Sequence, residues 1–213
     1  MTNEKKIQKM FDIFFELKHH KNTADLTHFL YQKIYHHDTG VVFAGVGKNF
    51  WLAEKVAATY KSIGIVATSM CPTHAIHGDL GYIHDQVIIV MSKSGTTPEL
   101  QRFIKYITYL KQNEPDGLGR FNPSLVGIFL NNKYEDKNHD FEYLITPKSS
   151  EIYEFDSNNV IPTLSINILQ MYIDFIGVTL FEMIPGAKQR FKYNHPAGNI
   201  GASLGTKELI KWM

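Results

Sequence analysis

The sequence predicts an α/β protein: a doubly wound, three-layer αβα sandwich around a mainly parallel five-stranded sheet, with leading N-terminal helices. Two patterns carry this reading. Short, continuous apolar runs bounded by turn residues recur along the chain, as strands buried on both faces require. Amphipathic stretches separate them, and strand–helix–strand alternation implies parallel pairing with helices on both faces of the sheet. With 213 residues, 44% of them hydrophobic, the chain can build one generous core, and 1–213 reads as a single domain.

Residues 3–19 and 23–36 come first, with Ile7, Met10, Phe11 and Phe14, then Leu26, Phe29, Leu30 and Ile34, at helical spacing. They predict two leading helices. After Asp38-Thr39-Gly40 the texture changes to the strand-like runs 41–45, 65–69, 86–92, 124–130 and 141–146. Between them, 49–63 presents Phe50, Ala53, Val56, Ala57 and Tyr60 on one face, and 97–112 presents Leu100, Phe103, Ile104, Ile107 and Leu110. The polar stretch KQNEPDGLGRFNPS is a surface connection within the domain. The apolar stretch 161–181 approaches spanning length but holds Pro162, Asn167, Gln170 and Asp174, which are costly in lipid, so it predicts a buried core or subunit-interface helix.

Several function classes fall away on composition. A formal charge of +1 and a pI near 7.8 leave no broad basic field for nucleic acid or an anionic membrane, so anionic ligands must be held locally. The one cysteine, Cys71, excludes an internal disulfide framework and fits a reducing compartment, with the cytoplasm expected. The first twenty residues carry Asp12 and Glu16 within their apolar run and do not read as a signal peptide.

Ligands of open parallel sheets bind beyond the carboxyl ends of the strands, where the strand order reverses. The first loop there is GVGKNF. A dinucleotide fingerprint would need a third glycine where Phe50 stands and an acidic residue about twenty positions on. A nucleotide P-loop would need Gly in place of Val42 and Ser or Thr in place of Asn49. What remains is a tight glycine turn that brings a ligand to backbone amides at a helix start, with Lys48 adding charge; an ordinary βα turn would look the same. The second loop, SKSGTTPEL, gathers Ser92, Ser94, Thr96 and Thr97 ahead of a helix, a donor set suited to a phosphate monoester. Thr96 to Glu99 also matches a capping box. Between the loops, CPTHAIHGDLGYIH offers His74, His77 and Asp79, a conceivable metal set that lacks clear ligand spacing, or a polar substrate pocket.

Taken together, GVGK, HGDLG, S-x-S-G-T-T-x-E-L, a glutamate ahead of P-T-x-S, and HPAG resemble, in that order, the arabinose-5-phosphate isomerase group of the sugar isomerase (SIS) domain family. The family carries a GxGK turn, an HGDLG loop, an SxSGE-type phosphate loop and a terminal HPGG. The resemblance implies a single SIS domain and interconversion of D-arabinose 5-phosphate and D-ribulose 5-phosphate through a cis-enediol, without cofactor or metal. It implies phosphate binding by Gly47, Lys48, Asn49, Ser92, Ser94 and Thr97, and catalytic roles for Lys48, Glu99, Glu151, His77 and His195. Glu151 is expected as the proton-shuttling base, and His195, or else His77, in ring opening. His195 is expected to reach a neighbouring subunit's pocket, so the partners implied are a small phosphosugar and other copies of the chain in a homotetramer. Thr96 in place of the family glutamate, Ala197 in HPAG and the apolar Leu164 and Ile166 are departures that bear on substrate choice. The pair of CBS domains common in the family does not follow before Met213, so regulation by such domains is not expected. A non-catalytic phosphosugar sensor or an isomerase of another phosphosugar is the alternative.

Overall fold

Five parallel strands, Val41–Ala44 (β1), Ala67–Met70 (β2), Val87–Ser92 (β3), Ser124–Phe129 (β4) and Tyr143–Ile145 (β5), pair in the order β2-β1-β3-β4-β5. The computed structural model describes residues 1–113, 121–131, 134, 136, 140–149 and 151–205; the middle of the polar 111–124 connection lies outside them. β1, β3, β4 and β5 sit within the runs predicted for them and β2 is shifted to end one residue beyond its run, at Met70; the described sheet is parallel throughout. The runs were legible because β1, β3 and β4 are buried on both faces, so no polar alternation interrupts them.

Side chains alternate along each strand, and this splits the interior into two clusters. Val41, Phe43, Val87, Ile89, Met91, Val126 and Ile128 face one helical layer, made of Asn3–Lys18 (α1), Lys21–Tyr31 (α2), Lys48–Ser62 (α3) and Leu164–Met183 (α6). Val42, Ala44, Ile88, Val90, Leu125 and Phe129 face the other, which holds the short Pro72–Ala75 (α4) and Pro98–Gln112 (α5). The three-layer sandwich is therefore as expected. Helices Ala187–Asn194 (α7) and Gly198–Ser203 (α8) follow α6, and a π-helical turn at Gln32–His36 ends the second leading helix earlier than its periodicity implied.

One of the sequence readings changes in three dimensions and another is met. On α1 the buried stripe is Lys6, Ile13 and Leu17 with Met10 and Phe14 against the core; Ile7 and Phe11, expected inside, are 37% and 38% exposed. The 20-residue α6 is long and apolar enough to cross a membrane. It nevertheless packs on α1, α2 and α3, buries nine residues, and its Asp174 pairs with Lys55 of α3, so it is the central helix of its layer.

α6 meets α3 at Gly177. A Cβ built there would stand 2.7 Å from the ring of Tyr60, a fully buried side chain whose hydroxyl donates to Ile173 O at 3.1 Å and whose ring meets Phe43 edge-on at 4.8 Å. Burial raises the Tyr60 phenol far above its ordinary pKa, the Asp174 and Tyr172 charges adding to the shift, so it stays a neutral donor. Overpacking such a site costs about 1–3 kcal/mol. Gly177→Ala is expected to lose that much in urea unfolding, with an unchanged m-value.

Candidate active site

The strand order reverses between β1 and β3. β1 pairs with β3 in parallel, Ala44 opposite Val90, yet the chain leaves β1 for α3 on one face and β3 for α5 on the other. The turns after these two strands therefore flank a crevice between the N-termini of two helices, where a doubly wound sheet binds its ligand.

The first turn is shaped by glycine. A Cβ on Gly45 would lie 2.7 Å from the backbone of Asn49, so only glycine lets α3 start so close to β1. Gly47 caps α3 at φ 62°, ψ −124°, a conformation that glycine adopts at little cost. Lys48, the first helical residue, is exposed, and Asn49 donates its amide to Val46 O at 3.2 Å.

The second turn is built by its own hydroxyls. Ser92 is buried, and its Oγ accepts the amides of Ser94 (3.3 Å) and Gly95 (3.0 Å). Ser94 Oγ accepts from the Thr96 amide (3.2 Å) and the Thr96 hydroxyl (2.9 Å). Gly95, at φ +71°, could not carry a Cβ, which would meet the Phe129 ring at 2.7 Å. Gln101 also reaches back to the Gly95 carbonyl. The capping box expected at Thr96–Glu99 does not form: the N-cap is Thr97, its side chain makes no capping bond, and Glu99 is exposed in the first turn. The first intrahelical bond runs from Gln101 N to Thr97 O, so the Glu99 and Leu100 amides precede the ladder and point out of the helix end.

The connection after β5 crosses back to this loop, and it brings a residue that the sequence did not single out. Glu151 is exposed and accepts from the Tyr153 hydroxyl at 2.8 Å. Glu154, 0% exposed, is the carboxylate joined to the loop: Oε1 accepts from Lys93 Nζ at 2.8 Å, and Oε2 from the Thr163 amide (2.8 Å), the Thr163 hydroxyl (3.2 Å) and the Ser165 amide (3.2 Å). Burial pushes its carboxyl up, but the Lys93 ammonium and the hydrogen bonds from Ser165 and Thr163 outweigh this and hold it below the usual carboxylate range. Glu154 thus also caps α6, which has no N-cap side-chain bond of its own. The available signal was a carboxylate in the stretch ahead of Pro162-Thr163, where α6 begins; two glutamates qualified, and only the path of the chain separates them.

His77 follows α4, exposed, beyond the carboxyl end of β2. His74 is exposed on α4, and among the described residues no group of three or more His, Cys, Asp or Glu is disposed to hold a metal. His195 is not brought to the crevice of its own chain. It ends α7, where Nδ1 contacts Phe191 O at 2.8 Å, and α7 is pinned by Arg190 to Gly64 O and by Asn194 to Ser62 O. These lie past the C-terminal end of α3, whereas Lys48 opens it, and the 15 residues of α3 separate the two ends by about 22 Å.

The lowered Glu154 carboxyl stabilises the fold at pH values above the unfolded pKa of about 4.3, and this contribution disappears as pH falls through the lower folded value. In urea unfolding between about pH 6 and 3, wild-type stability is expected to drop more steeply with acid than that of Glu154→Gln.

No protein-family model matches the chain. Among curated proteins it is 27% identical over 197 residues to an uncharacterized protein of Chlamydia pneumoniae, covering 92% of this chain and 54% of that one. It is 28% identical over 165 residues to arabinose 5-phosphate isomerase KdsD of Pseudomonas aeruginosa, covering 77% and 46%. The chain spans about half the length of these relatives. Among solved structures, an E. coli CFT073 protein in complex with arabinose 5-phosphate superposes with a TM-score of 0.71 at 23% identity, covering 92% of this chain and all of that one. At that identity the match establishes a shared fold, the one found in a solved sugar-phosphate-bound structure.

Proposed function

We propose that this chain is a phosphosugar aldose–ketose isomerase of the sugar isomerase family, acting on D-arabinose 5-phosphate and D-ribulose 5-phosphate. The observation that carries the reading is the switch point: a glycine turn bearing Lys48 and a hydroxyl-built loop follow the adjacent strands β1 and β3 in a fold shared with the arabinose 5-phosphate complex. Similarity to the Pseudomonas isomerase supports the choice of pentose phosphate.

In this reading the loop from Ser92 to Thr97 and the first amides of α5 hold the phosphate, so that binding energy far from the reacting carbons fixes their geometry. Gly47 and Asn49 frame the facing turn. Lys48 stabilises the enediolate oxygen as the proton leaves one carbon and returns to its neighbour. That proton needs an ionised carboxylate screened from water. Glu154 is ionised and has Oε1 paired with Lys93 of the loop, so that substrate displacing the lysine would reach this oxygen and relieve the lysine's lowering of its pKa; Glu151 is exposed, and we therefore assign the shuttle to Glu154 and place Glu151, with Glu99 and His77, at the rim. His195, stationed near the amino ends of the strands, serves ring opening in a second subunit. The exposed stripe of Ile7, Phe11 and Phe15 on α1 gives subunits an apolar face to share, in keeping with a homotetramer in the cytoplasm.

The test is a proton NMR time course with arabinose 5-phosphate in deuterated water. Ribulose 5-phosphate should appear with deuterium at C2 of the recovered aldose, unaffected by chelator. Binding without turnover would favour a phosphosugar sensor, and neither signal would overturn the pentose reading. Glu154→Gln should lower kcat by about 100-fold or more and Glu151→Gln by only a few-fold. Lys48→Met and His195→Gln, each inactive alone, should recover activity when their subunits are mixed; no recovery would overturn the shared site.

A further inference from the structure

Lys6 is the one charged residue on the buried stripe of α1. At 8% exposure it stands in line with Met10, Ile13, Phe14 and Leu17, a place where an apolar side chain would be cheaper to bury. Its ammonium donates to three successive carbonyls: Glu154 O at 2.7 Å, Phe155 O at 3.1 Å and Asp156 O at 3.0 Å. An ammonium has three donors, so these carbonyls satisfy it completely, and they converge on one point only because the backbone folds around the lysine. The residue held most closely is Glu154, whose carboxylate meets Lys93 on the loop after β3. The Glu154 amide is held too, donating to the Asn159 side chain.

We propose that Lys6 is a positioning residue for the active site, fixing the backbone at Glu154 so that Oε1 stands against Lys93 and the substrate loop. This rests on the isomerase reading above. The Lys6 ammonium bonds to main-chain carbonyls, not to the Glu154 carboxylate; it acts through the main chain of the residue whose carboxylate meets the loop. The leading helix is thereby joined to the chemistry across 148 residues of sequence.

Lys6→Met keeps the length of the side chain and removes the donors. It is expected to lower kcat about tenfold with KM for the phosphosugar changed less than about twofold, and Lys6→Gln should fall between it and wild type. The decisive readout is the double variant: Lys6→Met combined with Glu154→Gln should be no slower than Glu154→Gln alone, because the first acts through the second. Amide hydrogen exchange should quicken in 92–97 and 151–163 of Lys6→Met, and not in α5. A Lys6→Met enzyme with wild-type kcat, or a double variant whose losses multiply, overturns the proposal even if its melting temperature has dropped. If the wild type shows no turnover, the isomerase reading fails by itself. Exchange then decides the linkage, and unchanged rates in both segments overturn it.

Discussion

The structure depends on one buried carboxylate. Glu154 has no exposure to water, and an ionised group in that position survives only if its oxygens are met by charge and donors. Lys93 comes from the loop after β3, Thr163 and Ser165 from the start of α6. Lys6 of α1 and Asn159 hold the Glu154 backbone in place. Satisfying one charge thus fixes the relative positions of a ligand loop, the N-terminus of the central helix and the leading helix.

Around that point the fold does what a doubly wound sheet does. Sending α3 and α5 to opposite faces places their starting turns side by side at the ends of β1 and β3, the switch point where such sheets bind ligands, and both turns are held by local bonding. The Ser92 loop turns its hydroxyls onto its own amides, which reduces its free acceptor capacity but presents a preformed rim. Preorganisation of this kind suits the phosphosugar chemistry proposed above. The placement of His195 at the far end of α3 sets the opposite condition: under the proposed function the histidine would take part only across a subunit boundary.

The α1–α3–α6 layer shows how polar groups are carried inside an apolar assembly. Tyr60 and Tyr172 are buried, and each hydroxyl has a partner: the Ile173 carbonyl for the first, Thr23 at 2.8 Å for the second. Burial pushes the Tyr172 phenol up to about 12, so it too remains protonated. Polar anchors of this sort give the layer a single register where Leu and Ile packing alone would tolerate slippage.

By itself the sequence determined the strands, the helices that separate them and the turns that carry Lys48 and the Ser92 loop. Parallel strands buried on both faces must be apolar throughout, and tight turns must have glycine; both demands are local and leave their mark on adjacent residues. What only the tertiary structure decided is which of two nearby glutamates is buried against the loop after β3, which partners hold a lysine on an apolar stripe, and that His195 lies at the far end of α3. Each depends on partners brought together from distant segments, Lys93 and Glu154 being 61 residues apart and Lys6 and Glu154 148. A charge shows no pattern in sequence that distinguishes burial with partners from exposure to water, so that choice becomes visible only once the chain has closed around it.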